Sequence, residues 1–308
     1  MKCLITGGAG FIGSHLLNRL IKEGHKVCVL DNLIASKKTN LNFKVPFYNV
    51  DIQDTKVSDI FKKEKPEAVF HYAAQIDTQK SIENPVNNAK INILGALNIL
   101  ENCKKFKIKK IIFPSTVGVY GEPKSLPIKE NHSLSPIAPY AITKLTIEKY
   151  LNYYQSQGLD FVVLRYSNIY GPGQPSDGGG RGIANIINRI LKGEKPVVFG
   201  EGKQTRDFLY IEDAVSATIK AMRSPPGVIF NIGVNKETTI INLVKIISSL
   251  LNKEVKPLFR PLPRGVIIKS RVDFSKAKRE LGWQPKYNLE KGLAKTIKWH
   301  LEKPKNII

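Results

Sequence analysis

Tyr140 and Lys144 lie four residues apart in Tyr140–Gln157, a stretch whose apolar spacing predicts a long helix. Residues at positions i and i+4 share one helix face, so the phenol and the ammonium group are expected to lie side by side. A nearby ammonium favours the phenolate and would lower the tyrosine pKa from its usual value near ~10. A phenol tuned in this way can take and return the proton of a hydroxyl group. The pair therefore predicts acid–base chemistry.

Three glycines near the start of the chain predict a dinucleotide site. Gly7, Gly10 and Gly13 form G-x-x-G-x-x-G between an apolar run at Lys2–Thr6 and a stretch with helical apolar spacing. A second apolar run follows and ends at Asp31. This order of strand, glycine turn, helix, strand and acid is the context in which a glycine-rich fingerprint binds a dinucleotide. The acid would bind ribose hydroxyls and repel a 2′-phosphate, so the sequence predicts NAD in preference to NADP.

Length and composition exclude several classes of protein. A chain of 308 residues can bury a substantial core and fits one large or two closely joined domains. It has no apolar run of about 18 residues, so no membrane span is predicted. The fold is expected to begin at residue 2, without a signal or transit peptide. Cys3, Cys28 and Cys103 are odd in number and fall on predicted core elements, so we expect buried free thiols in a reducing cytoplasm, with neither a disulfide nor a metal site.

The formal net charge is +22, from 48 lysines and arginines against 26 acids. A charge of this size would suit a nucleic-acid-binding protein. The lysines are scattered, however, and the densest run, at 104–110, lies where a predicted helix passes into a strand. Cations are favoured at helix C-termini, so a solvated lysine face explains the run. We therefore expect no nucleic-acid partner, although the charge would attract a doubly anionic small molecule.

Strand and helix patterns alternate through residue 165, which is typical of a doubly wound, Rossmann-like α/β sheet. Residues 1–165 are predicted to form an NAD-binding domain, joined by a return segment near 207–232. Residues 166–308 are predicted to form a smaller substrate-binding α/β domain, which includes a glycine-rich loop at 171–182. Other predicted elements are strands at 45–50, Ala68–His71 and Lys110–Pro114, and a helix at Asn87–Cys103.

Nearly the whole chain resembles the extended short-chain dehydrogenase/reductase family, specifically its nucleotide-sugar epimerases of the UDP-glucose 4-epimerase type. The stretches that carry this resemblance are T-G-G-A-G-F-I-G-S-H, L-D-N-L, H-Y-A-A-Q, S-T-V-G-V-Y-G, Y-A-I-T-K, R-Y-S-N-I-Y-G-P-G-Q, G-E-G-K-Q-T-R-D-F-L-Y-I-E-D-A, F-N-I-G and D-F-S-K-A-K-R-E-L-G-W. The strand at Lys110–Pro114 leads into the fourth of them, so its hydroxyls are expected beyond the carboxyl end of the sheet, where ligands bind.

The resemblance implies a reaction and roles for four residues. Tyr140 would be the acid and base, and Lys144 would support it while holding the nicotinamide ribose. Thr116 would bind the sugar O4 and help pass the proton, with Ser115 adjacent. A hydride would leave C4 to NAD and return to the opposite face of a 4-keto sugar, without net redox change. The cofactor would carry the hydride chemistry and the protein would supply orientation and electrostatics.

The resemblance also implies the binding residues. Expected cofactor contacts are Gly7, Gly10, Phe11, Ile12, Gly13, Asp31, Asn32, Asp51, Ile52, Ala73, Ala74, Asn92, Tyr140, Lys144 and Tyr166. Expected contacts to the nucleotide-diphosphate sugar, most simply a UDP-sugar, are Thr116, Asn168, Arg206, Arg264 and Ser270. An arginine fork suits phosphate oxygens. The alternative for Arg206 is an ion pair with Asp207, and for Asn168 it is turn chemistry before Gly171.

Three departures from the family pattern bear on the substrate. The acid that relatives often carry after the third phosphate contact is missing, because Arg264 and Gly265 are followed by Val266. Dehydratase relatives carry Asp-Glu after the catalytic threonine, whereas this chain has Val117 and Gly118, which do no acid–base work. Dehydration is therefore not expected. A small residue at Ser270, where some epimerases have a bulky one, leaves N-acetylated sugars such as UDP-GlcNAc and UDP-GalNAc open.

Two other interpretations of the sequence stay open. Within the family, the chain could be a decarboxylase, a reductase or an epimerase at another carbon of a related nucleotide sugar. Outside enzymes, it could be a non-catalytic NAD-binding scaffold, against which the intact set of Thr116, Tyr140 and Lys144 argues. The resemblance further implies a homodimer, formed by pairing of the helices at Asn87–Cys103 and Tyr140–Gln157.

Overall fold

The computed structural model describes residues 1–36, 41, 45–176 and 182–302. The strands are β1 (Lys2–Thr6), β2 (Lys26–Leu30), β3 (Phe47–Tyr48), β4 (Ala68–His71), β5 (Lys110–Thr116), β6 (Asp160–Tyr166), β7 (Asn168–Tyr170), β8 (Val197–Phe199), β9 (Thr205–Arg206), β10 (Phe208–Tyr210), β11 (Val228–Ile232), β12 (Thr238–Thr239) and β13 (Leu258–Arg260). The helices are α1 (Phe11–Lys22), α2 (Val57–Glu64), α3 (Thr78–Glu83), α4 (Pro85–Ala89), α5 (Ala96–Lys105), α6 (Pro139–Gln155), α7 (Gly182–Leu191), α8 (Ile211–Ala221), α9 (Ile240–Leu250), α10 (Ser275–Leu281) and α11 (Leu289–Glu302).

A seven-stranded sheet in the order β11-β6-β5-β4-β1-β2-β3 organises the molecule, and every neighbouring pair in it is parallel. The predicted doubly wound fold is therefore confirmed. The strand order reverses between β1 and β4, where the connections leave in opposite directions. In such sheets the crevice beyond the carboxyl ends at this switch point is the usual ligand site. The glycine turn follows β1 and Ala73-Ala74 follow β4, so both border this crevice.

Both faces of the sheet are covered by helices. Helices α1 and α8 contribute to the apolar core on one face, and α2, α5 and α6 to the core on the other. The central strands are buried on both faces, which explains why their sequences are nearly continuous apolar runs. Cys3, Cys28 and Cys103 are buried free thiols, as predicted.

The later part of the chain adds three two-stranded pairs, β7–β10, β9–β12 and β8–β13. Strand β11 returns to the large sheet and pairs with β6. The division into two domains stays a prediction. Residues 177–181 of the glycine-rich loop lie outside the described residues. Within the described ranges, no helix combines the length and apolarity that crossing a bilayer requires.

Three predicted elements differ from those observed. The helix expected at Asn87–Cys103 is interrupted by a π-helical turn at Lys90–Gly95, which separates α4 from α5. The strand expected at 45–50 is reduced to β3, which lies at the sheet edge and pairs with β2 alone. The strand predicted at Lys110–Pro114 continues through Thr116, which places Thr116 at the carboxyl edge of the sheet.

Candidate active site

The glycine turn packs backbone against backbone. Gly7 has φ +69°, and a Cβ there would lie 2.5 Å from the Ala73 nitrogen. A Cβ on Gly13 would lie 2.2 Å from the Gly7 carbonyl oxygen, so only glycine permits α1 to start this close to β1. The N-cap residue of α1 is Gly10, so no side-chain hydrogen bond from this residue caps the first amides of the helix. The start of α1 thus offers backbone amides and a positive helix end, which suit a diphosphate.

Asp31 closes this turn from the end of β2. Its carboxylate accepts hydrogen bonds from the Ala9 amide at 3.0 Å, the Leu33 amide at 2.9 Å and the Ser36 hydroxyl at 2.9 Å. The side chain is buried and held in place. The predicted ribose-binding acid therefore lies beside the glycine turn.

Asn32 and Asp51 meet next to Asp31. The Asn32 amide donates to the Asp51 carboxylate at 2.6 Å. Burial acts to raise the pKa of Asp51, but hydrogen bonds from Gln53 and Asn32 outweigh it and leave that pKa below its usual value. Ile52 packs against the π turn, since a Cβ on Gly95 would lie 2.6 Å from its Cδ1. The structure thus brings these residues to one side of the crevice.

Asn92 lies in the π turn and holds the loop that follows β4. Its side-chain oxygen accepts from the Gln75 amide at 2.8 Å, and its side-chain nitrogen donates to the Gln75 carbonyl at 2.9 Å and to the Thr143 hydroxyl at 3.2 Å. Asn88 makes parallel contacts with Gln75 and Thr143. π-helical turns are frequent at functional sites. This one ties the Ala73–Ala74 loop to α6.

Thr116 ends β5 beside the start of α6. Its hydroxyl accepts from the Gly118 amide at 3.1 Å. A Cβ on Gly118 would lie 3.3 Å from that hydroxyl and 3.4 Å from the Ala141 Cβ, so Thr116 neighbours the helical turn that carries Tyr140. The Tyr140 amide donates to the Ser81 hydroxyl at 3.2 Å. One turn further along α6, the Lys144 ammonium donates to the Pro114 carbonyl at 2.8 Å. Three of the four predicted catalytic residues therefore belong to segments that meet at the end of β5.

The predicted lowering of the Tyr140 pKa is wrong for this structure. Burial raises the pKa of Tyr140 to about 12. Burial also lowers the pKa of Lys144 to about 7, against an opposing effect of the Glu148 charge. The Lys144 ammonium contacts the Pro114 carbonyl and lies 4.6 Å from the centre of the Phe113 ring. Desolvation of the phenolate is thus the cause of the raised pKa, while the buried Lys144 ammonium is directed to the Pro114 carbonyl.

Two predicted residues direct their hydroxyls elsewhere. Side chains alternate along a strand, so Ser115 points away from the face of Thr116, and its hydroxyl donates to Glu148 at 2.5 Å. Ser115, expected among the catalytic residues beside Thr116, is therefore directed to the opposite face of the sheet. The Tyr166 hydroxyl contacts the Thr218 hydroxyl at 2.6 Å and the Tyr72 hydroxyl at 3.3 Å, so it serves the packing of the sheet against α8.

Two of the predicted substrate residues, Arg206 and Ser270, lie close to each other. Arg206 and Ser270 are joined through Thr205, whose carbonyl accepts from the Arg206 guanidinium at 2.7 Å and whose hydroxyl accepts from the Ser270 amide at 3.3 Å. Burial lowers the pKa of Arg206, and the charge of Glu122 opposes this. Glu122, which sequence reasoning missed, also accepts from the Ile268 and Lys269 amides.

Arg264 is exposed on the loop that leads to Ser270. Its carbonyl accepts from the Gln79 side chain at 3.2 Å, and a Cβ on the next residue, Gly265, would lie 3.6 Å from the Ala138 Cβ. Arg264 thus approaches the start of α6.

Asn168 and Asp207 resolve two alternatives left by the sequence. Asn168 starts β7 and donates its backbone amide to the Asp207 carbonyl, so it is a strand residue. The Asp207 carboxylate accepts from the Val234, Asn235 and Val272 amides, which removes the reason to pair it with Arg206. Burial raises the pKa of Asp207 to about 6, against these hydrogen bonds.

Comparisons with known proteins agree with this geometry. The model of the NAD dependent epimerase/dehydratase family matches residues 3–233. The chain is 40% identical to a putative UDP-glucose 4-epimerase of Methanocaldococcus jannaschii, over 96% of this chain and 97% of that one. It is 41% identical, with a TM-score of 0.96, to the crystal structure of Thermotoga maritima UDP-glucose 4-epimerase with UDP-glucose, covering 98% and 99% of the two chains. It is also 37% identical to a UDP-N-acetyl-α-D-glucosaminuronate decarboxylase of Bacillus cytotoxicus, over 98% of each chain.

Proposed function

Because this chain belongs to the NAD dependent epimerase/dehydratase family, whose cofactor is NAD, we propose that it inverts C4 of a nucleotide-diphosphate sugar. The preferred pair is UDP-glucose and UDP-galactose, with UDP-GlcNAc and UDP-GalNAc as the second pair. The observation that carries the proposal is the grouping of Thr116, Tyr140 and Lys144 at the end of β5, with Val117 and Gly118 in the adjoining 3₁₀ turn.

The residues around the glycine turn fit NAD. The close approach of Gly7 to Ala73 and of Gly13 to Gly7 leaves a backbone surface beside the start of α1 that a diphosphate can approach. Asp31 presents a carboxylate at the end of β2, suited to ribose hydroxyls. When bound, NAD supplies the acceptance and return of a hydride at the sugar carbon.

Tyr140 would handle the proton of O4, with Thr116 orienting the hydroxyl. Because its pKa is about 12, Tyr140 is protonated at neutral pH and is ready to donate when the hydroxyl is restored. To remove the O4 proton, Tyr140 must act as a phenolate, and a nearby positive charge favours that form. Lys144 provides a cation on the same helix face. Thr116 ends β5 next to that face and supplies the second hydroxyl.

The residues after Thr116 limit the reaction. Val117 and Gly118 have no ionisable side chain, so the site lacks at these positions the acids that dehydratase relatives carry to eliminate water. Decarboxylation is the second candidate, because the chain is 37% identical to a nucleotide-sugar decarboxylase. A decarboxylase would accept only sugars that carry a C6 carboxylate, whereas the proposed epimerase accepts sugars with a C6 hydroxyl.

A panel of UDP-, dTDP-, GDP- and CDP-sugars tests the proposal, with product mass and NADH absorbance followed together. We expect C4 epimers of unchanged mass from a UDP-sugar and no stoichiometric NADH. Loss of carbon dioxide from an acidic sugar would establish a decarboxylase instead. Accumulation of one NADH per sugar would establish a dehydrogenase. Retention of NAD without turnover of any sugar would support a non-catalytic scaffold.

Arg206→Gln is expected to raise KM for the UDP-sugar by about 10–100-fold and to change kcat little. Arg206 is half-buried, its guanidinium donates to the Thr205 carbonyl, and a charge-assisted contact to phosphate is worth ~1.5–3 kcal/mol. Steady-state kinetics would measure the change, with Arg189→Gln as the control because Arg189 pairs with Glu194 at the surface. An unchanged KM in Arg206→Gln would remove Arg206 from the substrate site.

The protein is proposed to act as a homodimer through α5 and α6. Leu94 in the π turn is 58% exposed, and Ile142 and Tyr153 on α6 are 48% and 56% exposed. Large apolar side chains exposed along neighbouring helices are typical of an interface. Leu94→Glu combined with Ile142→Glu is expected to convert the dimer to a monomer in light scattering. Leu301→Glu, at a 62% exposed position on α11, should leave it unchanged. A wild-type monomer would contradict the proposal.

A further inference from the structure

Three side chains of α6 follow each other at one-turn intervals along β5. Tyr140 is at the open end, Lys144 comes next and Glu148 is one turn deeper. Lys144 binds the Pro114 carbonyl at 2.8 Å, and Glu148 accepts from the Ser115 hydroxyl at 2.5 Å. The helix is therefore hydrogen-bonded to Pro114 and Ser115, the two strand residues that directly precede Thr116. Glu148 sets the register of α6 against the catalytic strand.

Glu148 is half of a buried ion pair. The Arg165 guanidinium donates to its carboxylate at 2.6 Å and 3.1 Å, and the two side chains are 3% and 2% exposed. Arg165 also donates to the Tyr120 hydroxyl at 2.8 Å, which in turn donates to the Asn231 side chain at 2.7 Å. Replacing such a pair by apolar residues of similar volume is often neutral or stabilising. Stability alone is thus a weak reason for these charges behind the site.

Among the residues that the structure describes, few charged groups act on the protonation of Lys144. Glu148 on its own helix is the carboxylate that acts on it, and burial of the ammonium works in the opposite direction. The Arg165 charge on β6 is engaged by Glu148. His71 on β4 stacks against the Phe113 ring that Lys144 also contacts, and burial lowers the pKa of this histidine to about 3, so it is neutral. Tyr140 is protonated at neutral pH.

We propose that Glu148 is a positioning residue of the active site, whose carboxylate, fixed by Arg165 and Ser115, holds the Lys144 ammonium charged against the Pro114 carbonyl. The effect of Glu148 on turnover rests on the proposed function, in which Tyr140 removes a proton from the sugar. A charged Lys144 favours the Tyr140 phenolate that this step requires. Ser115 then has a role after all, as a hydrogen-bond donor that orients Glu148. The pair of Glu148 and Arg165 thus acts through Lys144 on the proton step.

The direct test is NMR titration of Lys144 in the NAD-bound protein, with ¹³C-labelled lysine and Lys144→Met to assign its signal. In Glu148→Gln the midpoint is expected to fall by about one pH unit, since the Glu148 charge, one helix turn from Lys144, acts to raise the pKa of that lysine. Arg165→Lys is the matched control, because it alters the same ion pair but keeps the carboxylate, and its midpoint should equal that of the wild type. Glu148→Gln leaves Arg165 buried without a counter-charge, so Glu148→Gln with Arg165→Met serves as the second variant. The double variant should show the same fall, and an unshifted midpoint in it would overturn the proposal.

The pH profile of turnover gives the second readout. Lys144 is charged below its pKa, so activity should decline as pH rises through that value. Glu148→Gln and the double variant should decline at lower pH, while Arg165→Lys should decline at the wild-type pH. A merely structural role would lower all activities without moving the profile. If the wild type turns over no nucleotide sugar, the proposed function fails while the NMR midpoint still decides this inference.

Discussion

Tyr140→Phe is expected to lower kcat for C4 inversion by about 10²–10⁴-fold, the usual range for losing a general acid or base. The substitution removes the phenolic hydroxyl and keeps the aromatic ring of a residue in the first turn of α6, the turn that lies beside Thr116. KM for the sugar and retention of NAD should change much less than kcat, because the ring stays and Tyr140 is one of many expected contacts to the cofactor. Initial rates with a UDP-sugar, together with the NAD content of the purified variant, provide the measurement.

Tyr153→Phe is the matched control for that experiment. Tyr153 lies on the same helix and is 56% exposed, so the loss of its hydroxyl should leave kcat within about twofold of wild type. If Tyr140→Phe behaved like Tyr153→Phe, proton transfer would have to be assigned to another group, and the roles proposed for Thr116, Tyr140 and Lys144 would be wrong.

Gly13→Ala is expected to have the second largest effect, on cofactor binding. The added Cβ would lie 2.2 Å from the Gly7 carbonyl oxygen and 2.8 Å from the Gly8 Cα. Both are backbone atoms, so the turn itself must shift. Overpacking of this kind costs about 1–3 kcal/mol or more, and ~2 kcal/mol corresponds to roughly a 30-fold loss of NAD affinity if the strain falls on the bound turn. Calorimetric titration with NAD and urea unfolding of the same samples would measure both effects.

Gly182→Ala is the control for the glycine experiment. A Cβ at Gly182, the first residue of α7, would meet no atom of the described residues within 4 Å. Alanine there should leave NAD affinity unchanged and leave stability equal or slightly higher, because alanine is a better helix former than glycine. An NAD affinity of Gly13→Ala within about twofold of wild type would show that close backbone packing does not require glycine at this turn.

Apolar periodicity predicted the elements that position the cofactor. The runs at Lys2–Thr6 and Ala68–His71 are strands with the predicted bounds, because parallel central strands are buried on both faces and leave a continuous apolar signal. The glycine spacing could be recognised in the sequence because close backbone packing requires glycine at Gly7 and Gly13. Asp31 could be recognised because it ends the strand beside this turn. The NAD cofactor followed from these local patterns and the family from the resemblance of the quoted stretches, and both are confirmed.

What escaped prediction depends on contacts between distant segments. Beside the π turn at Lys90–Gly95, the side chains of Asn88 and Asn92 form hydrogen bonds with Gln75. Gln75 lies in the loop after β4, and the periodicity of the helix sequence does not indicate contacts with a distant loop. The raised pKa of Tyr140 follows from burial by surrounding elements, whereas the i+4 spacing indicates only the neighbouring lysine.

Two other features left a readable signal. The alternation of side chains along a strand already separates Ser115 from Thr116. The spacing of Glu148, four residues after Lys144, likewise indicates one helix face, although no spacing links Glu148 to its partner Arg165. The cytoplasmic location and the roles of individual site residues stay predictions.

The most direct test of the proposed function is the incubation of the purified protein, with its NAD, separately with UDP-glucose and with UDP-galactose. Proton NMR of the anomeric signals follows both reactions to completion. We expect the two samples to converge on the same mixture of C4 epimers, without net NADH. If both sugars remained unchanged, or if one were converted to a product other than its C4 epimer, C4 inversion would not be the reaction of this protein.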